Sequence, residues 1–163
     1  MTNRFKAFVP FIITHETAFQ KGHYGDYKYV RTERDKNDPG GCTRFGIDFG
    51  EHRHAPWNMT EDQIDKLTLG QAIDIYSRHW EIDKCENMPP GIGECVFNCA
   101  TMSGLQQAIL IASRTHGAGE FMKDENRVFD LIAKKRPAAE EYVAGWKNRI
   151  TDLSKWLKVP IST

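Results

Sequence analysis

Apolar residues fall at positions 5, 8, 9, 12 and 13, the spacing of one helical face, so the chain opens on an amphipathic helix. Asn3 is its expected cap, and Pro10 falls either near its start or at a kink. Glu16 follows Ile12 by four residues and Ile13 by three, which continues the apolar face. Between residues 20 and 58 the period is lost and Gly, Asp, Asn, Pro and His become frequent. There Asp38 to Gly41 (DPGG) predicts a turn, and extended pieces around Tyr27 to Thr32 and Cys42 to Phe49 have the composition of a small hairpin or sheet. A long irregular stretch in a small domain is usually a binding surface.

Helical patterning returns after residue 58. Thr60 with Gln63 and Thr68 with Gln71 are both spaced as capping boxes. The second opens a helix with Leu69, Ala72, Ile73, Tyr76 and Trp80 on one face, and Glu81 to Gly91, with Pro89 and Pro90, reads as a connector. The apolar run from Ile92 to Ala112, broken at Gly104, predicts two buried helices meeting at an angle. Asp124 is placed to cap a further helix carrying Val128, Phe129 and Ile132. Pro137 suits the first turn of the last helix, whose stripe is Tyr142, Trp146, Ile150, Leu153 and Leu157. The expected fold is mainly α (α+β): one domain over residues 1–163, with a small β-hairpin region in the N-terminal half and a soft division near residue 90.

Composition narrows the function classes. With 40% hydrophobic and 27% charged residues, nine Phe, five Tyr and four Trp, the chain has the make-up of a soluble globular protein. Lys plus Arg equal Asp plus Glu at 22 each, which argues against nucleic acid as a partner. The one basic stretch runs from Lys21 to Lys36. Cys42, Cys85, Cys95 and Cys99 form no CxxC pair, and Cys95 and Cys99 read as small core residues on one helix face. Structural zinc sites favour tighter paired spacings, so no metal or other cofactor is expected. The apolar run at Phe8 to Ile13 is short, interrupted by Pro10 and lacks a cleavage site, so neither an export signal nor membrane insertion is expected. Synthesis in a reducing cytoplasm fits the free thiols.

A carboxyl on the apolar side of a helix beside a polar loop is what general acid catalysis asks for, because desolvation disfavours the anion. Glu16 is the acid of the front half placed in that way. Glycoside hydrolysis usually needs a second group that activates water or attacks the anomeric carbon. Asp35, Asp38 and Asp48 are the candidates, and spacing does not choose among them.

Three groups of residues carry a family resemblance: Phe11 to Glu16 (FIITHE), Asp38 to Ile47 (DPGGCTRFGI), and Leu67-Thr68 with Ala72 to Tyr76 (AIDIY) and Trp80. In this order they resemble glycoside hydrolase family 108, the N-acetylmuramidases of phage lysis cassettes and bacterial genomes. Gly145 to Arg149 (GWKNR) resembles the motif of the peptidoglycan-binding segment that follows there. The resemblance implies a lysozyme-like helical fold, with a catalytic lobe over residues 1–90 and a helical wall-binding lobe over 91–163.

It further implies that Glu16 is the catalytic acid, with Thr43 and Asp38 at the site holding or activating water. His15, Tyr29, Asp48 and Asn98 are candidate substrate contacts, and Tyr24, Tyr27 and Trp57 could stack on sugar rings. The implied partner is the glycan strand of peptidoglycan, and the implied reaction is cleavage of its β-1,4 MurNAc–GlcNAc bond. Lytic transglycosylation of the same bond and a catalytically weak wall-binding role are the alternatives. Without an export signal the protein would reach the periplasm or wall through holin-dependent lysis or a secretion apparatus, as an endolysin or an antibacterial effector. Two departures stand out. Thr17 and Ala18 replace two glycines after the glutamate, and the interval from Glu16 to Asp38 is longer than is common. Further on, Asn98 replaces an aspartate, Met102 an asparagine, and His116-Gly117 the usual DG turn.

Overall fold

Thr2, one residue earlier than expected, starts the first helix: its backbone is extended, and its hydroxyl accepts from the Phe5 N–H at 3.2 Å. Asn3 is already helical, so it lacks the extended backbone a cap requires. Helix α1 (Asn3–Glu16) contains Pro10 in its interior, on an exposed position, and buries Phe5, Phe8, Val9, Phe11, Ile12 and Ile13. The computed structural model describes residues 1–17, 33–34, 42–48, 59–136 and 139–163, which fall into two compact units, Met1–His79 and Trp80–Thr163.

The first unit holds an antiparallel sheet of three short strands in sequence order, β1 (Glu33–Arg34), β2 (Cys42–Arg44) and β3 (Ile47–Asp48). Of the two extended pieces expected, Cys42 to Phe49 is described as far as Asp48 and forms a hairpin over Cys42 to Asp48, and Tyr27 to Thr32 lies outside the described residues. Helix α2 (Glu61–Asp65) packs on β2 and opens with a complete capping box, Thr60 and Gln63 each bonding the other's backbone. The Thr68–Gln71 box opens α3 (Leu69–Ile82) in the same way, at 2.9 and 3.3 Å. Within α3, Ala72, Ile75, Tyr76 and Trp80 are buried.

The second unit is helical among its described residues. A 3-10 turn (Cys85–Asn87) leads to α4 (Ile92–Ser103), α5 (Leu105–Ala112), α6 (Ala118–Lys135) and α7 (Glu140–Leu157). Gly104, with φ of 86°, breaks α4 from α5 as its position suggests, since few residues with a side chain adopt that backbone. Helix α5 is less buried than expected: Ala108 and Ile111 face inward, while Leu105, Ile109 and Leu110 are 37%, 44% and 53% exposed. Helix α6 begins at Ala118, well before Asp124, because Phe121 and Met122 extend its buried stripe forward. Asp124 pairs instead with Arg114, and the Glu120 carboxylate accepts from the His116 N–H at 2.8 Å ahead of the helix. Helix α7 buries Val143, Arg149, Ile150 and Leu153, whereas Tyr142 is exposed and Pro137 lies outside the described residues.

All four cysteines are buried free thiols, as the small-core reading of Cys95 and Cys99 requires. Among the described residues, no helix is long and apolar enough to cross a membrane.

The segment after α7 folds back on the start of α6, where the Ser162 N–H donates to the Gly119 carbonyl at 3.1 Å. A Cβ at Gly119 would lie 2.5 Å from the Pro160 carbonyl oxygen and 3.0 Å from Ser162 Oγ. Gly119→Ala is therefore expected to destabilise the protein by about 1–3 kcal/mol despite the better helix propensity of alanine, because backbone must move. Urea unfolding measures this, and an unchanged midpoint would show that the segment yields freely.

Candidate active site

The hairpin carries the Cys42 to Ile47 part of the DPGGCTRFGI motif, whose Asp38 to Gly41 turn lies outside the described residues, and it turns through two residues. Arg44 pairs with Ile47 and Thr43 with Asp48, which leaves Phe45 and Gly46 as the loop. Their φ values are 55° and 73°, the type I′ pattern that matches the twist of the flanking strands. Glycine at 46 meets this requirement without strain. Phe45 is bulky, and such a residue rarely adopts positive φ. Here its ring is buried, its carbonyl accepts the Tyr76 hydroxyl at 2.8 Å, and the Arg44 guanidinium lies 5.5 Å from the ring centroid. Arg44 Nη1 also donates to the Asp65 carbonyl, tying the hairpin to the end of α2.

Glu16, the last residue of α1, is half-buried and packs directly on this turn. A Cβ at Gly46 would fall 2.5 Å from Glu16 Oε2 and 2.8 Å from both its Cβ and Cγ, so these three atoms occupy the space a side chain at position 46 would need. The helix ends without glycine. Thr17 closes it by donating its hydroxyl to the Ile13 carbonyl at 2.8 Å, while its N–H bonds the same oxygen at 3.0 Å. A side chain thus does at Thr17 what a left-handed glycine commonly does at a helix end.

The other expected residues distribute as follows. Thr43 is half-buried in β2 and is opposite Glu33 on one side and Asp48 on the other, so positions 33, 43 and 48 form one cross-strand row. Glu33 has no sequence signal beyond its charge, and only the strand register brings it into this row. His15 is half-buried with its ring 4.4 Å from that of Phe11, one turn back on α1. Asp35, Asp38, Tyr29, Tyr24, Tyr27, Trp57 and most of Lys21 to Lys36 lie outside the described residues. No group of three or more His, Cys, Asp and Glu residues among those described is placed to hold a metal ion.

Asn98 is fully buried in the second unit. Its Oδ1 accepts from Arg149 Nε at 2.7 Å, and Arg149 Nη2 reaches Thr101 Oγ1 at 3.0 Å. Two of the GWKNR residues pack inward, Arg149 on Asn98 and Trp146 on Phe129 with ring centroids 5.1 Å apart, while Gly145 and Asn148 are exposed. Beside them Glu125 is fully buried, and neither carboxyl oxygen has a hydrogen-bond partner of ordinary geometry. Burial pushes its carboxyl up to about 8, against the opposing pull of the Cys99 thiol and the Arg149 guanidinium. Burial and the Glu125 charge push both the Cys95 and Cys99 thiols up, so neither is a thiolate. Asp83, after α3, is half-buried, and desolvation raises its carboxyl to about 6.

Residues 25–104 match the family Glycosyl hydrolase 108. The stretch covers just under half of the chain, runs from the hairpin region through α4 to Gly104, and begins after Glu16. This segment is thus similar to a family of glycoside hydrolases. Across 98% of this chain and 97% of the other, the fold is similar to that of SagA from Brucella abortus, with a TM-score of 0.70 at 18% identity. No curated protein matches the chain.

Proposed function

We propose that this protein is a muramidase that hydrolyses the β-1,4 bond between N-acetylmuramic acid and N-acetylglucosamine in peptidoglycan, with Glu16 as proton donor. The observation that carries the reading is the packing of Glu16 over Gly46, which joins the acid to the hairpin of the segment similar to Glycosyl hydrolase 108. Glu16 gives its proton to the glycosidic oxygen as the C–O bond breaks, and the sugar passes through an oxocarbenium-like state. Water then adds at the anomeric carbon. Thr43 and one carboxylate of the loop and hairpin region, Asp35, Asp38 or Asp48, orient that water, and the carboxylate takes its proton. His15, Tyr29 and Asp48 belong to the wider substrate-binding proposal, as does wall binding by the second unit, whereas Asn98, fully buried against Arg149, is a packing residue out of reach of a glycan strand. Delivery through a holin or a secretion apparatus would bring the enzyme to the wall.

The test is turbidity loss of purified sacculi with wild type and Glu16→Gln, followed by product masses. Reducing ends are expected; anhydromuramyl ends would make the protein a lytic transglycosylase. Asp83 is the rival donor, because its half-buried carboxyl is raised to about 6. Asp83→Asn is expected to remain active. Loss of activity there, with Glu16→Gln still active, would move the donor to the second unit.

A further inference from the structure

A glutamate at the last position of a helix has three side-chain torsions and little helical backbone beyond it to restrain them. Its use as a proton donor demands one arrangement, since a misplacement of about 1 Å can cost on the order of a hundredfold in rate. We infer that the Phe45–Gly46 turn is the platform that fixes the Glu16 carboxyl, and that Tyr76 on α3 holds this platform in place. Gly46 and Tyr76 are then positioning residues for the proposed reaction. The inference rests on Glu16 being the acid.

The chain of contacts is short. Three atoms of the Glu16 side chain lie so close to Gly46 that any Cβ there would collide with them. The location of the Gly46 Cα therefore sets one wall of the space the carboxyl occupies. That Cα belongs to the same planar peptide unit as the Phe45 carbonyl oxygen, because the amide holds both in one plane. Tyr76, itself buried, donates its hydroxyl to that oxygen at 2.8 Å. Fixing the oxygen fixes the plane, the plane carries the Gly46 Cα, and the Cα backs Glu16. The unusual positive φ of Phe45 gives this bond its importance. A bulky residue tends to leave that region, so an external strut is needed to keep the peptide turned.

The test uses two variants in the full chain and soluble uncross-linked glycan strands as substrate. Tyr76→Phe removes one oxygen and keeps the ring; Gly46→Ala adds one carbon against Glu16. With the fold confirmed by circular dichroism, Tyr76→Phe is expected to lower kcat roughly tenfold at unchanged KM, and Gly46→Ala on the order of a hundredfold. Repeated in a Glu16→Gln background, neither change should reduce the residual rate further, because both act through the carboxyl. Wild-type kcat in Tyr76→Phe, a rise in KM alone, or an equal loss with and without Glu16 would overturn the inference. If Gly46→Ala fails to fold, the Tyr76→Phe pair decides. A fully active Glu16→Gln single variant would instead overturn the proposed function and this inference with it. An inactive Glu16→Gln beside an unaffected Tyr76→Phe would sink only the inference.

Discussion

Glu16→Gln is expected to reduce the rate of sacculus lysis by on the order of 10²–10⁴-fold, the usual contribution of a positioned proton donor. The amide has nearly the same shape as the acid, so its Cβ and Cγ can rest on Gly46 as before. Glutamate and glutamine also have similar helix propensities, and α1 should end at the same place. What the proposed mechanism loses is its acidic proton. Melting temperature and glycan affinity are therefore expected to stay near wild type while kcat falls. A variant that clears walls as fast as wild type removes Glu16 from the chemistry. A variant that is inactive because it no longer binds glycan would assign the residue to recognition.

The second large effect concerns stability and comes from the other unit. Replacing Glu125 with Gln is expected to stabilise the protein at alkaline pH and to leave it nearly unchanged below pH 4.5. The Glu125 carboxyl is raised from its ordinary 4.5 to about 8 in the folded protein, chiefly by burial. Below pH 4.5 both folded and unfolded chains carry the proton, and the group's favourable contribution is fully present. Between 4.5 and 8 the unfolded chain releases the proton while the folded chain keeps it, so stability declines as pH rises, by about 1.4 kcal/mol per pH unit. Above 8 the folded form is charged as well and the loss is complete. The neutral amide has no such slope. The free-energy difference between variant and wild type should thus grow with pH to roughly 3–5 kcal/mol, read from urea unfolding between pH 4 and 9. A difference that is flat across this range would mean that Arg149 neutralises the buried carboxylate outright.

The sequence determined the features whose causes lie within a few residues. The stripe from Phe5 to Ile13, the two capping boxes, the break at Gly104 and the extended character of Cys42 to Asp48 all arise from backbone sterics and contacts a few residues apart. Those causes are present in the chain before it folds, and the mainly helical architecture with its small hairpin follows from them. They did not locate the start of α6, because the burial of Phe121 and Met122 outweighs the capping tendency of Asp124. Nor did they show that α5 keeps Leu105, Ile109 and Leu110 exposed. Periodicity identifies an apolar face but carries no information on whether another helix covers it.

Only the tertiary structure decided what each polar group meets. Glu16 lies on Gly46, Tyr76 bonds the Phe45 carbonyl, Arg149 bonds Asn98, and Glu125 is sealed in beside Cys99. In each case the partners come from different elements, and their meeting depends on how whole helices and a hairpin pack. A glycine in a turn motif could be read as a backbone requirement from its neighbours alone. That the same glycine leaves room for the carboxyl of Glu16 became visible only with both in place, because a missing Cβ acquires meaning from the atom that occupies its space.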